Sequence, residues 1–426
     1  MTHRPSPAAR QSSAVRRTDG SGRFPGMRLD CWRDGRLEGE QMPADSTLAA
    51  RSYLVIGAGV LGVCLAARLA QAGAAVTLLD AARPGRGATR SSFAWLNSND
   101  KAPRAYHELN HAGLRAWAEL AASLGQPAWY RPAGNLEWAA DPAGQAQLAA
   151  RVDRLAGWGY PAELISASAA AGLEPALRLP SPPPQVAWFP GEGYLLTEAM
   201  TGELVAAAAR DGARVLTGQA GQVTGFDMAR GVVRGVRTAA GQLIRADAVV
   251  CCAGRWTPGL AGLAAAASPV PLVPWAGPGD TAPGLVVQAG PVAGPGLARM
   301  VHTPGIDLRP HTAGRVHMEA PDAAVDLHTP DAELRRWAAE LLRRARQVIP
   351  GLAGAGVAGY RVCVRPMPAD GQSIVGWLPG AAGLYLAVTH SGVTLGAHLA
   401  RLISDELGTG TPPAGLAPYR PSRFRA

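Results

Sequence analysis

A short apolar run, Ser52-Tyr53-Leu54-Val55-Ile56, ends directly on Gly57-Ala58-Gly59-Val60-Leu61-Gly62, and this junction constrains the fold more than any other stretch. The run predicts a buried strand, and the pattern from Val60 to Ala72 predicts a helix ended by Gly73. A second strand, Ala75-Val76-Thr77-Leu78-Leu79, finishes on Asp80, 21 residues after Gly59. Together they make one strand–helix–strand unit whose connecting turn suits a dinucleotide. Gly57 permits the tight turn, Gly59 lets backbone approach a pyrophosphate, and Gly62 lets helix and strand pack closely. The helix N-terminus adds partial positive charge, and Asp80 can accept hydrogen bonds from a ribose. A second triplet, Gly354-x-Gly356-x-x-Gly359, follows a helix and runs into a predicted strand, Tyr360–Arg365. No helix follows it to hold a phosphate, so it reads as a flexible turn, and the chain as binding one dinucleotide.

The remaining periodicity implies an α/β fold interrupted twice. Residues 1–50 lack sustained periodicity and are expected to be a disordered extension. An amphipathic helix is predicted from Ala102 to Leu124, and the proline run 180–184 reads as a surface connection. A helix from Thr197 to Asp211 precedes three strand-like stretches, near Val215, Val232–Val236 and Leu243–Ile244. Ala248–Cys252 is a further buried strand. An arginine-faced helix spans 331–348; a strand at 384–388 and a helix at 393–407 close the chain. The expected division places a nucleotide-binding domain in 51–130, 195–265 and 360–426, and a substrate domain in 131–194 and 266–359.

Charge and composition exclude several functions. Lys+Arg is 41 against Asp+Glu 32, yet Lys101 is the sole lysine, so 40 of the basic residues are arginine. They are scattered, with no basic stripe interleaved with aromatics, which argues against nucleic acid as a partner. Five cysteines form no CxxC pair, and no signal peptide precedes them, so a reduced, cytoplasmic setting is expected. No apolar run reaches membrane-spanning length. The histidines show no metal-ligand spacing, and the G-x-S-x-G elbow of serine hydrolases is missing.

Four further motifs occur in order. They are Arg83-Pro84-Gly85-Arg86-Gly87-Ala88-Thr89-Arg90-Ser91-Ser92, Ala253-Gly254-Arg255-Trp256, Arg365-Pro366-Met367-Pro368-Ala369-Asp370-Gly371, and Gly383 to Thr394 with its core Thr389-His390-Ser391-Gly392-Val393-Thr394. From Ser52 to Phe424 the chain resembles the D-amino-acid oxidase superfamily of FAD enzymes, in its glycine oxidase and sarcosine oxidase branches. The resemblance implies a Rossmann-like FAD-binding domain with an interleaved antiparallel-sheet (α+β) substrate domain. It implies FAD held by Gly57, Gly59, Val60, Leu61, Gly62, Asp80, Ala88, Thr89, Val223, Ala253, Gly254, Cys363, Ser391, Gly392, Val393 and Thr394. The closing helix would aim its positive end at the flavin edge where negative charge develops on reduction.

The resemblance makes Arg365 the substrate-binding arginine, a planar fork suited to an amino-acid carboxylate. Cys363 lies two residues earlier on the same expected strand, so both would share one face. Sarcosine oxidases bond a cysteine, seven residues before the matching acid, to the flavin. Cys363 and Asp370 have that spacing, although most relatives hold FAD noncovalently and a buried structural cysteine is the other reading. Lys101 is a candidate for helping electrons reach oxygen, and His390 for donating to flavin or substrate. The lysine and the arginine that the two branches carry in the last glycine loop are missing, with Thr394, Leu395, Ser391 and Gly392 in their neighbourhood. The expected activity is oxidation of a small amine or amino acid by hydride transfer to flavin N5, with O2 or another acceptor taking the electrons. The alternatives are a dehydrogenase serving a quinone or carrier, an NAD-dependent dehydrogenase, and a catalytically silent FAD-binding partner subunit.

Overall fold

The computed structural model describes residues 46–179, 185–266, 269–274 and 282–424. Most of the expected N-terminal extension and the proline run 180–184 lie outside the described residues; the end of that extension carries a helical turn, Ser46–Ala49.

Apolar runs without polar alternation form a sheet covered on both faces. Its order is Ile374–Trp377, Leu384–Val388, Ala248–Cys251, Ser52–Ile56, Ala75–Asp80, Arg214–Thr217. All neighbours are parallel except the first pair. The strand leading into the glycine turn is therefore central, and the turn opens at the carboxyl ends of its parallel neighbours. Alternation divides this strand between two cores. Tyr53 and Val55 pack beneath helices Val60–Gln71, Arg104–Ser123, Thr197–Arg210 and Gly392–Thr409. Leu54 and Ile56 face a layer containing the antiparallel sheet Val223–Ala229, Val232–Thr238, Leu243–Arg245.

A second sheet has eight strands, ordered Gly356–Val364, Pro283–Gly290, Val316–Glu319, Ile306–Pro310, Met300–Thr303, Asn135–Glu137, Val186–Phe189, Glu163–Ile165. It is antiparallel apart from the pairing of Met300–Thr303 with Asn135–Glu137. Ile306, Leu308, Val316, Met318 and Val287 point into a core under helix Asp331–Val348. Asp307, Arg309, His317, Glu319 and Gln288 alternate with them and take the other face. The architecture is the expected one, a Rossmann-like parallel sheet with an interleaved, largely antiparallel one.

Three local expectations differ. Val223–Ala229 is a strand that the pattern did not reveal. The strand expected at Tyr360–Arg365 runs Gly356–Val364 and pairs with Pro283–Gly290, so the proposed boundary at 360 falls inside a strand of the second sheet. Of the second glycine triplet, Gly354 lies in a turn as expected, whereas Gly356 and Gly359 stand in the strand. The alternation of Tyr360 and Val362 onto the helix-covered core outweighs glycine's weak strand preference.

At the central turn a Cβ on Gly62 would stand 1.8 Å from the Gly57 carbonyl oxygen. Gly172 lies near the end of the short helix Ala167–Leu173, where an added Cβ meets nothing within 4 Å. Gly62→Ala is expected to cost about 2–4 kcal/mol and lower the thermal midpoint. Gly172→Ala should leave the midpoint unchanged or raise it slightly.

Candidate active site

The central strand ends at a cleft of about 560 Å³. Its near wall is the glycine turn. Gly57 has φ +99°, and a Cβ there would press to 2.6 Å from the Cys252 carbonyl oxygen, so only glycine suits the position. Thr89 Oγ1 accepts the N–H of Val60 at 2.9 Å. The amides of Leu61 and Gly62 come next in the first helical turn and have no intrahelical acceptor. Both Asp80 oxygens brace this wall, accepting the N–H groups of Ala58 and Ala82 at 2.7 Å each. Burial raises the Asp80 pKa, and these two bonds oppose the rise.

Cys363, Arg365, Thr389, His390, Gly392 and Val393 line the far end. Arg365 follows the strand Gly356–Val364, and its Nε donates to the Ala282 carbonyl at 3.2 Å. Cys363 is buried; its Sγ lies 3.8 Å from the Ala88 carbonyl oxygen. Burial first, and then Glu319, push this thiol up to about 12, so it is held protonated. The His390 Nδ1 is buried without a partner among the described residues. Burial, Lys101 and Arg365 lower this histidine to about 4, which keeps the ring neutral at neutral pH. Lys101 is half-buried; desolvation lowers its pKa, while Asp100 and Glu192 oppose that and Arg365 adds to it.

Of the residues selected from sequence, Gly57, Gly59, Val60, Leu61, Asp80, Ala88, Thr89, Val223, Ala253, Gly254, Cys363, Gly392 and Val393 line this one cleft, with Arg365 and His390. Gly62, Ser391, Thr394 and Lys101 do not line it. Ser391 Oγ accepts the Tyr106 hydroxyl at 3.1 Å. Thr394 Oγ1 accepts the Asn97 N–H and donates to the Trp95 carbonyl, both at 3.3 Å, tying segment 95–97 to the closing helix.

Sequence reasoning missed the buried acids. Glu192 accepts from Tyr160 Oη at 2.6 Å, Trp95 Nε1 at 2.9 Å, Asn135 Nδ2 at 3.1 Å and Asn99 Nδ2 at 3.3 Å. Burial nevertheless raises it to about 8. Glu319 is raised to about 7 by burial, with Arg365 and Arg309 opposing. Asp307 lies directly opposite Glu319 across the strand pair and is raised well above its ordinary value by burial and by that neighbour. The period-2 runs Ile306-Asp307-Leu308-Arg309 and Val316-His317-Met318-Glu319 carried the signal, since each puts polar residues on one face.

A flavin dinucleotide fits these residues. The turn leaves no room for a Cβ, helix amides are available for a pyrophosphate, and the cleft continues to the unpartnered His390 nitrogen. The family model described as FAD dependent oxidoreductase matches residues 52–406. An uncharacterised oxidoreductase of Bacillus subtilis is 28% identical over 398 residues, covering 87% of this chain and 99% of that protein. Glycine oxidase of Pseudomonas putida is 31% identical over 207 residues, covering 47% of this chain and 52% of that enzyme. The crystal structure of L-proline dehydrogenase from P. horikoshii superposes with a TM-score of 0.75 at 20% identity, covering 88% of this chain and 97% of that one. No helix among the described residues is long and apolar enough to cross a membrane.

Asp80→Ala removes one acceptor from two backbone amides at once. The apoprotein of this variant should bind FAD about 10–100-fold more weakly, read by fluorescence titration.

Proposed function

Because the chain belongs to the FAD-dependent oxidoreductase family, we propose that it oxidises the carbon–nitrogen bond of a small amine, an amino acid in particular, to an imine that water hydrolyses. The observation that carries this reading is that Arg365 lines the same cleft as the glycine turn. Bound FAD supplies a two-electron acceptor for hydride from the carbon next to nitrogen. Arg365 binds the substrate carboxylate and fixes the angle at which that carbon meets the acceptor, which is orientation rather than acid–base chemistry. An ammonium substrate must lose a proton first. Glu319 and Glu192 are both raised toward neutral pH; of the two, Glu319 acts on Arg365, and we assign it this proton. Lys101, which desolvation lowers while Asp100 and Glu192 oppose the fall, acts on Arg365 and His390 and is the cation we assign to this end. That charge favours electron transfer onward to an acceptor such as O2.

The protonated Cys363 thiol supports noncovalent FAD, because the thiolate is the nucleophilic form. Flavin released into the supernatant on acid precipitation is the expected result. The four described cysteines are unpaired, which supports cytoplasmic placement.

Anaerobic titration with a panel of amino acids and amines should bleach the flavin with at least one of them; no bleaching across the panel would leave the silent-subunit reading. Peroxide formation under air then separates oxidase from dehydrogenase. For the bleaching substrate, Arg365→Ala should raise KM by about 100-fold or more, whereas an unchanged KM removes the anchor.

The pH dependence assigns the proton. Loss of the Glu319 proton makes the base, so kcat/KM should rise with pH through about 7, and Glu319→Gln should abolish that rise. His390, lowered to about 4, is already neutral in this range, so His390→Gln should leave the position of the rise unchanged.

A further inference from the structure

A second cavity of about 550 Å³ shares no lining residue with the cofactor cleft. Arg90, Arg309, Arg315 and Arg361 line it, with His311 and His317, while Glu198 is its one acidic lining residue among the described residues. Strand alternation creates this lining. Arg309, His317 and Gln288 occupy the polar face of the eight-stranded sheet, opposite Leu308, Met318 and Val287 in the core. On the other side stands the N-terminus of helix Thr197–Arg210, whose cap residue Leu196 makes no side-chain cap. Leu196, Thr197, Glu198 and Ala199 all border the cavity, so the positive end of that helix dipole faces it.

We propose that this cavity binds a small molecule carrying two or more negative charges, through phosphate or carboxylate groups.

The strongest argument is Arg309. It is 2% exposed, and among the described residues no carboxylate lies within ion-pair distance. Its Nη1 donates to the Pro310 carbonyl at 2.9 Å, its Nε donates to the Phe93 carbonyl, and its Nη2 meets His317 Nδ1 at 2.7 Å. The hydrogen bonds satisfy its donors, and the carboxyl that acts on its charge, Glu319, lies beyond ion-pair distance and outside the cavity lining, so the cavity offers this buried cation room for a closer anion.

The histidines are set to complement an anion. Arg309 can only donate, so His317 Nδ1 must accept and its proton sits on Nε2. The Gln288 amide lies 3.4 Å from that Nε2. His311 packs on His317 with ring centroids 4.3 Å apart, and its Nδ1 is buried with no partner among the described residues. Burial and Arg309 lower both rings, to about 4 and about 2, so neither adds charge before a ligand arrives. The Arg90–Glu198 pair, 2.7 Å apart, uses the cavity's one carboxylate and leaves three of its four guanidiniums uncompensated by the lining. A lone phosphate would underfill this volume, so the anionic groups belong to a larger body.

The test uses the full-length holoenzyme with pyrophosphate and citrate as separate probes in calorimetry at fixed ionic strength, following flavin absorbance throughout. Saturable binding of either probe, with FAD retained, is expected; the preferred probe distinguishes phosphate from carboxylate recognition. The double variant Arg315→Gln/Arg361→Gln changes two exposed rim residues and should keep its FAD and its oxidation rate while binding the probe at least about tenfold more weakly. Absence of saturable binding by both probes, binding that displaces FAD, or undiminished binding by the double variant would overturn the proposal.

Discussion

Everything at the cofactor end depends on three backbones meeting without side chains between them. The turn after Ser52–Ile56 must pass close to the strand end at Cys252, and the helix beginning at Val60 must press back onto the turn. Gly57 and Gly62 make both approaches possible, at separations no Cβ could occupy. Once these contacts are made, the amides of the first helical turn point at the cleft, and Asp80 closes the loop by accepting from residues on either side of it. The turn is thus held in a conformation that already suits a pyrophosphate, so little conformational entropy is lost on binding.

The substrate end rests on a different constraint, the two unlike faces of the eight-stranded sheet. One face lies under the helix Asp331–Val348 and is apolar. The other collects Asp307, Arg309, His317, Glu319 and Cys363 and is largely buried without being apolar. Such a face is costly to form, because each polar group loses water. The shifts record that cost, with Glu319 raised and His317 lowered by the same desolvation. Perturbed groups of both kinds on one wall mark it as a place for chemistry or ligands rather than for packing.

The sequence made the cofactor end legible because its chemistry is local. Gly57, Gly59, Gly62 and Asp80 fall within one strand–helix–strand unit, and each has a spacing with a physical meaning. Arg365, Cys363 and His390 were legible through the resemblance of short motifs that converge on the same cleft. The second lobe was harder to read, for physical reasons. Its strands are short, their order in the sheet departs from chain order, and Gly356–Val364 reaches its place through pairing with a strand about 70 residues earlier. Glu192 gave no warning at all, since its four donors come from segments far apart in the chain.

The choice between arginine and lysine decides how these cavities stay charged. A lysine placed where Arg309 sits would respond to the same desolvation by shedding its proton, as the lowered pKa of half-buried Lys101 indicates in milder form. Arg309 falls only to about 10 and remains a cation throughout the physiological range. With 40 arginines and one lysine, whatever the origin of that bias, the chain can bury positive charge without losing it. Two neighbouring cavities can then hold different potentials. Near the cofactor cleft Glu192 acts on Lys101 and Glu319 on Arg365; Glu319 reaches Arg309 as well, but among the described residues three of the four guanidiniums lining the second cavity have no ion-paired carboxylate in its lining. A neutral or zwitterionic substrate suits the first environment, and a multiply charged anion suits the second.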